Sequence, residues 1–182
     1  MTQRTIPLAL LSLMLLPGAT TAAPPAVGPT ADIACAVWAR ELSFADSVAR
    51  HDVDAFADHV DVDAVFDAAG DAPTRGRDAV VAAWRPVIAG EGVVLAWYPA
   101  RTTAGNGAAA RIAWSSGPFL MTVDDGKGGT RRVVGTYRSV WRLGDDGRWR
   151  VLYDAGGDDR RDASEADAAR FEAGRRAACP GG

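Results

Sequence analysis

The stretch Tyr137–Asp154, YRSVWRLGDDGRWRVLYD, has two runs of alternating bulky and polar residues, separated by GDDG at residues 144–147. Alternation with a period of two is typical of β-strands, and a Gly/Asp turn between two such runs predicts a β-hairpin. One face of its first strand carries Tyr137, Ser139 and Trp141. That face contacts a packed core, a partner chain or a ligand.

The chain upstream of this hairpin is helical in pattern. Thr30 and Asp52 are placed to cap two helices, and a third helix is expected over residues 78–89. The second helix carries an amphipathic stripe that ends at Val60. Strands are expected at 64–68, 93–103, 108–123 with a bulge or bend at 115–118, 131–143 and 148–155.

Segregated helices and strands indicate an α+β fold. We expect a strongly bent antiparallel sheet with three N-terminal helices packed on one side, which makes a cone with an open mouth. The cone domain is predicted over residues 31–157, and residues 158–182 form a polar tail with a helical pattern. The sequence contains no internal repeat and no second domain.

The first 22 residues have the pattern of a secretory signal peptide, with Arg4, a short apolar run and small residues near a cleavage position. A Pro-rich entry segment follows at residues 23–30. An uncleaved interfacial anchor is the alternative. We therefore expect an exported protein, periplasmic or secreted, with no membrane contact after cleavage.

Charge and cysteine usage agree with export. Loss of Arg4 takes the net charge from −3 to −4, and the arginines are dispersed, which argues against nucleic-acid binding. In an oxidising compartment Cys35 and Cys179 are expected to form one disulfide; two free thiols are the alternative.

Four segments of the chain resemble the nuclear transport factor 2-like superfamily, which includes ketosteroid-isomerase-like and polyketide-cyclase-like proteins. They are FADSVARHDVDAF (residues 44–56), RGRDAVVAAWRPVI (75–88), SSGPF (115–119) and SVWRLGDDGRWRVLYDAG (139–156). Residues 33–157 are most similar to the branch called domain of unknown function 4440. The resemblance implies a cone-shaped pocket and homodimers through the outer sheet face. It implies no single activity, because one fold hosts many functions.

The isomerase relatives use a tyrosine, an aspartate base and a protonated aspartate, which fall at Phe44, Ala68 and Ser139 of this chain. None of these three residues can take over the role, so ketosteroid-type isomerisation is not expected. Asp67 is a weak candidate base, because strand alternation directs it away from the face of Ala68.

Asp154 is the second candidate base. It shares a predicted face with Leu152, opposite Val151 and Tyr153. A partly buried carboxylate there would have a raised pKa and could accept a proton. The alternative is that Asp154 pairs with an arginine or caps the end of the strand.

Aromatic residues suit a pocket for an apolar or ring-bearing molecule, although they could equally fill the cone. The candidate ligand-binding residues are Trp84, Trp114, Tyr137, Ser139, Trp141 and Asp154, with Trp97 as a further aromatic. We expect no cofactor and no metal, because His51 and His59 lack the spacing of a metal site.

The sequence thus predicts an exported, homodimeric domain that binds a small apolar or ring-bearing molecule. A cofactor-free isomerase, cyclase or dehydratase is one alternative. A structural dimerisation module with a filled cone is the other.

Overall fold

The computed structural model describes residues 30–105 and 109–180. The predicted signal peptide and nearly all of the entry segment lie outside these residues. Among the described residues, no helix is both long and apolar enough to span a membrane.

The described residues form four helices: α1 (Thr30–Ala49), α2 (Val53–His59), α3 (Arg77–Ala89) and α4 (Glu165–Gly174). The predicted cap of α2 is confirmed, because the Asp52 carboxylate accepts a hydrogen bond from the Ala55 amide at 2.9 Å. Helix α3 continues through Pro86 and ends at Gly90, which adopts the left-handed conformation common at helix ends.

In the part of the chain that the structure describes, eight strands form one sheet in the order β2-β1-β7-β6-β5-β3, with β4 also paired to β5 and β8 to β6. Helices α1 to α3 pack against its inner face, so the predicted α+β cone is confirmed. The sheet is not purely antiparallel, because β1 runs parallel to β7. The strands are β1 (Val60–Phe66), β2 (Thr74–Arg75), β3 (Val93–Trp97), β4 (Arg101–Ala104), β5 (Ile112–Asp124), β6 (Thr130–Leu143), β7 (Trp149–Gly156) and β8 (Arg161–Asp162).

The first strand begins earlier than predicted. Val60 was expected to end the stripe of α2, but it begins β1 and lies fully buried beside Val151. The sequence VDVDAVF alternates as a strand does, and pairing with β7 outweighs the helical periodicity that precedes it.

The predicted strand 93–103 is two strands separated by Tyr98–Ala100. Both pair with β5, which runs without a register shift along β6, so the bulge expected at residues 115–118 is absent. The break lies in the neighbouring strand instead. Gly117 permits it, because a Cβ atom there would overlap the Tyr98 carbonyl oxygen.

The C-terminal tail is docked on the outer side of the sheet. Strand β8 pairs with β6, and Phe171 of α4 is buried with its ring 4.9 Å from that of Tyr98. A disulfide joins Cys35 of α1 to Cys179, as expected from the sequence.

This disulfide should contribute strongly to stability, because it closes a loop of 144 residues. On the chain-entropy model a loop of that size stabilises by about 5 kcal/mol. The Cys35→Ser/Cys179→Ser variant should therefore lower the free energy of unfolding by up to that amount in urea titrations. Wild-type protein in reductant should behave like the variant. An unchanged unfolding midpoint would contradict this stabilising role.

Candidate functional site

A cavity of about 230 Å³ lies between the inner face of the sheet and helices α1 and α3. An apolar cavity of roughly 150 Å³ accommodates benzene, so this one has room for one or two rings. Its apolar lining is Phe44, Phe66, Trp84, Leu95, Trp97, Phe119, Met121 and Tyr137. Its polar lining is Asp67, Thr74, Asp154 and Arg160, and Ala155 and Gly156 complete it.

The aromatic side chains of the lining hold one another in place. The ring of Phe44 on α1 meets that of Trp97 on β3 edge to face, 5.3 Å apart. Trp84 on α3 meets Phe66 on β1 in the same way at 5.6 Å and stacks on Phe56 at 5.1 Å. Such pairs contribute about 0.5–1.5 kcal/mol each beyond burial, so the apolar wall is preformed.

A β-bulge directs Asp154 into the cavity. In the pairing of β6 with β7, Trp141 is opposite Val151, and Val140, which precedes Trp141, is opposite Tyr153. Leu152 is therefore an extra residue in β7 without a partner in β6. Val151 and Asp154 therefore share the inner face, whereas the sequence predicted Leu152 and Asp154 together. Asp154 does point into the pocket, but because of the bulge rather than of regular alternation.

The surroundings of Asp154 favour its protonated form more than water would. Burial is the main cause that raises the pKa of Asp154 to about 6, and the nearby charge of Asp67 adds to it. The Ser139 hydroxyl donates a hydrogen bond to Asp154 at 2.7 Å and opposes this rise. Asp154 has no ion-pair partner among residues 30–105 and 109–180, so it is not held by an arginine there.

Asp67 also lines the cavity, contrary to the prediction that it faces away. It follows β1 directly and adopts the left-handed backbone conformation, with φ of 53°. The strict alternation of the strand ends there, so Phe66 and Asp67 both border the cavity. Ala68 is not part of the lining, and its amide donates to the Asp154 carbonyl oxygen at 3.0 Å.

The predicted ligand-binding residues separate into three groups. Trp84, Tyr137 and Asp154 line the cavity. Ser139 lies behind Asp154, and Trp141 is fully buried in the core. Trp114 is half-buried on the other face of β5, in a surface cleft beside the disulfide.

Glu41 on α1 is a buried acid that the sequence analysis missed. Its carboxylate accepts hydrogen bonds from Trp97 Nε1 at 2.7 Å, from Trp141 Nε1 at 3.0 Å and from the Ser115 hydroxyl. The Tyr137 hydroxyl is buried near Ser115 without a hydrogen bond of ordinary geometry to any described residue. Glu41 therefore links α1 to strands β3, β5 and β6.

The sequence pattern of α1 indicates that Glu41 is buried. It stands at helical spacing between Val37, Phe44 and Val48, all of which are buried. Leu42 and Ala45, which also lie at helical spacing in α1, are only half-buried. An acid in the buried stripe predicts a polar partner in the core.

The contacts of His59 indicate a structural role. His59 is buried and contacts the Ser43 hydroxyl and the Ala55 carbonyl oxygen, both at 2.6 Å. Burial lowers its pKa to about 4, so the ring is neutral at physiological pH. Within the part of the chain that the structure describes, no three His, Cys, Asp or Glu side chains are grouped as a metal site would require.

The family assignment follows from a sequence model that matches residues 42–152, more than half of the chain, and is described as a SnoaL-like domain. The chain belongs to the SnoaL-like domain family. This family lies within the nuclear transport factor 2-like superfamily that the sequence analysis proposed. The domain of unknown function 4440 branch stays a prediction. A search of curated proteins found no match to this SnoaL-like chain.

Solved structures share the fold of this SnoaL-like protein. A nuclear transport factor 2-like superfamily protein from Salmonella enterica is 14% identical, with a TM-score of 0.57 over 70% of this chain and 92% of its own. A ketosteroid isomerase-like protein from Erwinia carotovora is 16% identical, with a TM-score of 0.56 over 72% and 96%. A conserved protein from Planctomyces limnophilus is 16% identical, with a TM-score of 0.55 over 70% and 95%. At these identities the likeness establishes the fold alone.

The buried Glu41 predicts a measurable pH dependence of stability. Burial raises its pKa from 4.5 to about 7. Between pH 4.5 and 7 Glu41 has lost its proton in the unfolded chain but keeps it in the folded protein. The contribution of Glu41 to the free energy of unfolding is therefore largest below about pH 4.5 and decreases as the pH rises to 7. Relative to Glu41→Gln, the free energy of unfolding of wild type should fall by about 3 kcal/mol as the pH rises over this interval.

Urea unfolding at several pH values measures this difference. His59 changes the free energy of unfolding with pH in the opposite direction. This change is the same in wild type and in Glu41→Gln, so it cancels when the two proteins are compared. Glu91→Gln replaces an exposed carboxylate and is the matched control. A wild-type-to-variant difference that is independent of pH would show that Glu41 is not a titrating buried acid.

Proposed function

We propose that this SnoaL-like protein binds a small, largely apolar, ring-bearing molecule in the cavity of the cone. The observation that carries the proposal is the lining itself, in which six aromatic side chains surround space for one or two rings. Binding sites for small molecules combine such apolar walls with a few polar groups. A cone filled by its own side chains, as a purely structural module requires, would leave no such space.

Export and homodimerisation are further parts of the proposal. The disulfide supports an oxidising compartment, where such bonds persist. Helix α4 covers the outer sheet face near Pro118 and Val134, so a homodimer would use the remaining outer face, where Tyr153 is exposed. Sedimentation velocity of the exported chain tests the dimer.

A second candidate function is a cofactor-free isomerase, cyclase or dehydratase, and Asp154 is the observation that favours it. Asp154 is an unpaired carboxylate on an aromatic cavity, with a pKa close to the pH at which a general base works. It would take a proton from a ligand carbon, and the electron pair of the broken C–H bond would move into an adjacent carbonyl group of the ligand.

Ligand binding can be tested with 2-tetralone, a neutral ketone of two fused rings that suits the cavity volume. Calorimetry should detect saturable binding to wild-type protein. Trp84→Ala should weaken the affinity by roughly tenfold, or about 1.4 kcal/mol, because it removes part of the aromatic wall. Trp114→Ala, which removes a tryptophan outside the cavity, should leave the affinity unchanged. Absence of saturable binding to wild type would contradict the proposed function.

Proton transfer can be tested with the same ketone in D₂O, by following deuterium uptake next to its carbonyl group by NMR. Wild-type protein should accelerate uptake, with a rate that rises as Asp154 loses its proton around pH 6. Asp154→Asn should reduce uptake to the buffer rate while 2-tetralone still binds. Asp158→Asn, an exposed change on the following loop, is the control.

Two results would revise this second candidate. Loss of uptake in Asp67→Asn but not in Asp154→Asn would assign the base to Asp67. Binding of 2-tetralone by wild type without accelerated uptake would reject the enzyme and leave the binding function in place.

A further inference from the structure

Arg160 is an unpaired cation at the mouth of the aromatic cavity. It lies on the connection between β7 and β8, and it is the one arginine in the lining of this cavity among the described residues. Its neighbour Arg161 is bound to Asp167 at 2.7 Å, and Arg150 is bound to Asp146 at the same distance. Arg160 has no carboxylate within 4.0 Å in the described chain, so its hydrogen-bond donors are available to a ligand.

Two glycines make room for the Arg160 side chain on the inner face of the sheet. A Cβ atom at Gly135 of β6 would lie 3.2 Å from Arg160 Cγ. A Cβ atom at Gly156 of β7 would lie 3.0 Å from Arg160 Nη2 and 3.2 Å from Nε. The stem of Arg160 therefore crosses β6, and its guanidinium group lies directly over β7. A Cβ atom at Gly156 would require the guanidinium group to shift by a few tenths of an ångström.

Arg160 and Asp154 face the same cavity without contacting each other. Asp154 pairs with Ser139 and Gly156 pairs with Tyr137, so Asp154 and Gly156 occupy successive positions on the inner face of β7. Such positions are about 7 Å apart along a strand. The guanidinium group over Gly156 and the Asp154 side chain thus belong to neighbouring inner positions of the same strand.

We propose that Arg160 donates hydrogen bonds to a carbonyl oxygen of the ligand, and that the ligand class is ring-bearing ketones and related carbonyl compounds. This inference rests on the proposed binding function. Arg160 and Asp154 both line the cavity, so a ligand bound there can approach both groups. The residues at the isomerase positions, Phe44 and Ser139, provide no strong donor for such an oxygen.

The assignment also gives the proton transfer a complete path. The C–H bond next to the carbonyl breaks, the proton forms an O–H bond with Asp154, and the electron pair shifts to give an enolate. The negative charge then develops on the oxygen that faces Arg160. Guanidinium stays charged at every physiological pH, so it stabilises that oxygen without losing a proton.

Charge in the cavity favours a neutral carbonyl compound over a carboxylate. Asp67 and Asp154 both line the cavity and oppose the single positive charge of Arg160. An anionic ligand would approach two acids, whereas a neutral ketone presents only its oxygen to Arg160.

The test compares 2-tetralone with tetralin, the same two rings without the oxygen. The affinity for 2-tetralone divided by the affinity for tetralin measures what the carbonyl group adds to binding. Arg160→Met should reduce the preference for the ketone about tenfold or more, as expected for loss of a hydrogen bond to a charged group. Arg138→Met, an exposed change on the other face of β6, should keep the preference.

Deuterium uptake supplies a second readout on the same variants. At saturating 2-tetralone, Arg160→Met should slow uptake at least tenfold, and Arg160→Lys should restore part of the rate. An unchanged affinity ratio in Arg160→Met would overturn the inference while the binding function stands. Failure of both compounds to bind wild type would instead reject the proposed function, and this inference with it.

Discussion

The carboxylate of Glu41 ties helix α1 to three strands of the sheet through Trp97, Ser115 and Trp141. It is fully buried, and no arginine, lysine or histidine among residues 30–105 and 109–180 forms an ion pair with it, so hydrogen bonds from these residues stabilise the carboxylate. Hydrogen bonds from neutral donors are directional, and three of them fix the position of the helix relative to the sheet. Because α1 also carries Phe44, this arrangement helps to position one part of the cavity wall.

The cavity has two chemically distinct parts. Its interior is built from aromatic rings that pack on one another, and these can bind a ring through burial alone. The exposed residues Asp67 and Arg160 and the half-buried Asp154 form most of its polar part. Orientation of a ligand therefore depends on a few polar atoms, whereas affinity depends on the apolar surface.

Much of the fold could be predicted from the sequence, because helical periodicity and strand alternation report which face of each element is buried. The cap at Asp52 followed from the same local rules. The parallel pairing of β1 with β7 could not be predicted, since it joins segments far apart in the chain. The split between β3 and β4 was missed because it depends on a backbone approach at Gly117.

The site was predicted less completely, because it too depends on contacts between segments that are far apart in the chain. Trp84, Tyr137 and Asp154 were identified from composition and alternation, and they border the cavity. Arg160 was missed because it lies on a loop, where periodicity carries no information, and its place depends on glycines of two other strands. Asp67 was assigned to the wrong face because alternation was extended past the end of its strand.

The extra residue in β7 has a consequence for comparing this chain with its relatives. A relative without a counterpart of Leu152 would carry the same inward acid on a regular strand, two positions after Val151 rather than three. A relative of equal length whose strand lacks the bulge would turn the aligned acid toward solvent. An alignment that places its gap elsewhere would equate residues of opposite faces. A catalytic role can therefore be inferred from a relative for a residue of this strand only when the hydrogen-bond register of both strands is known. Identity of the aligned residues does not suffice.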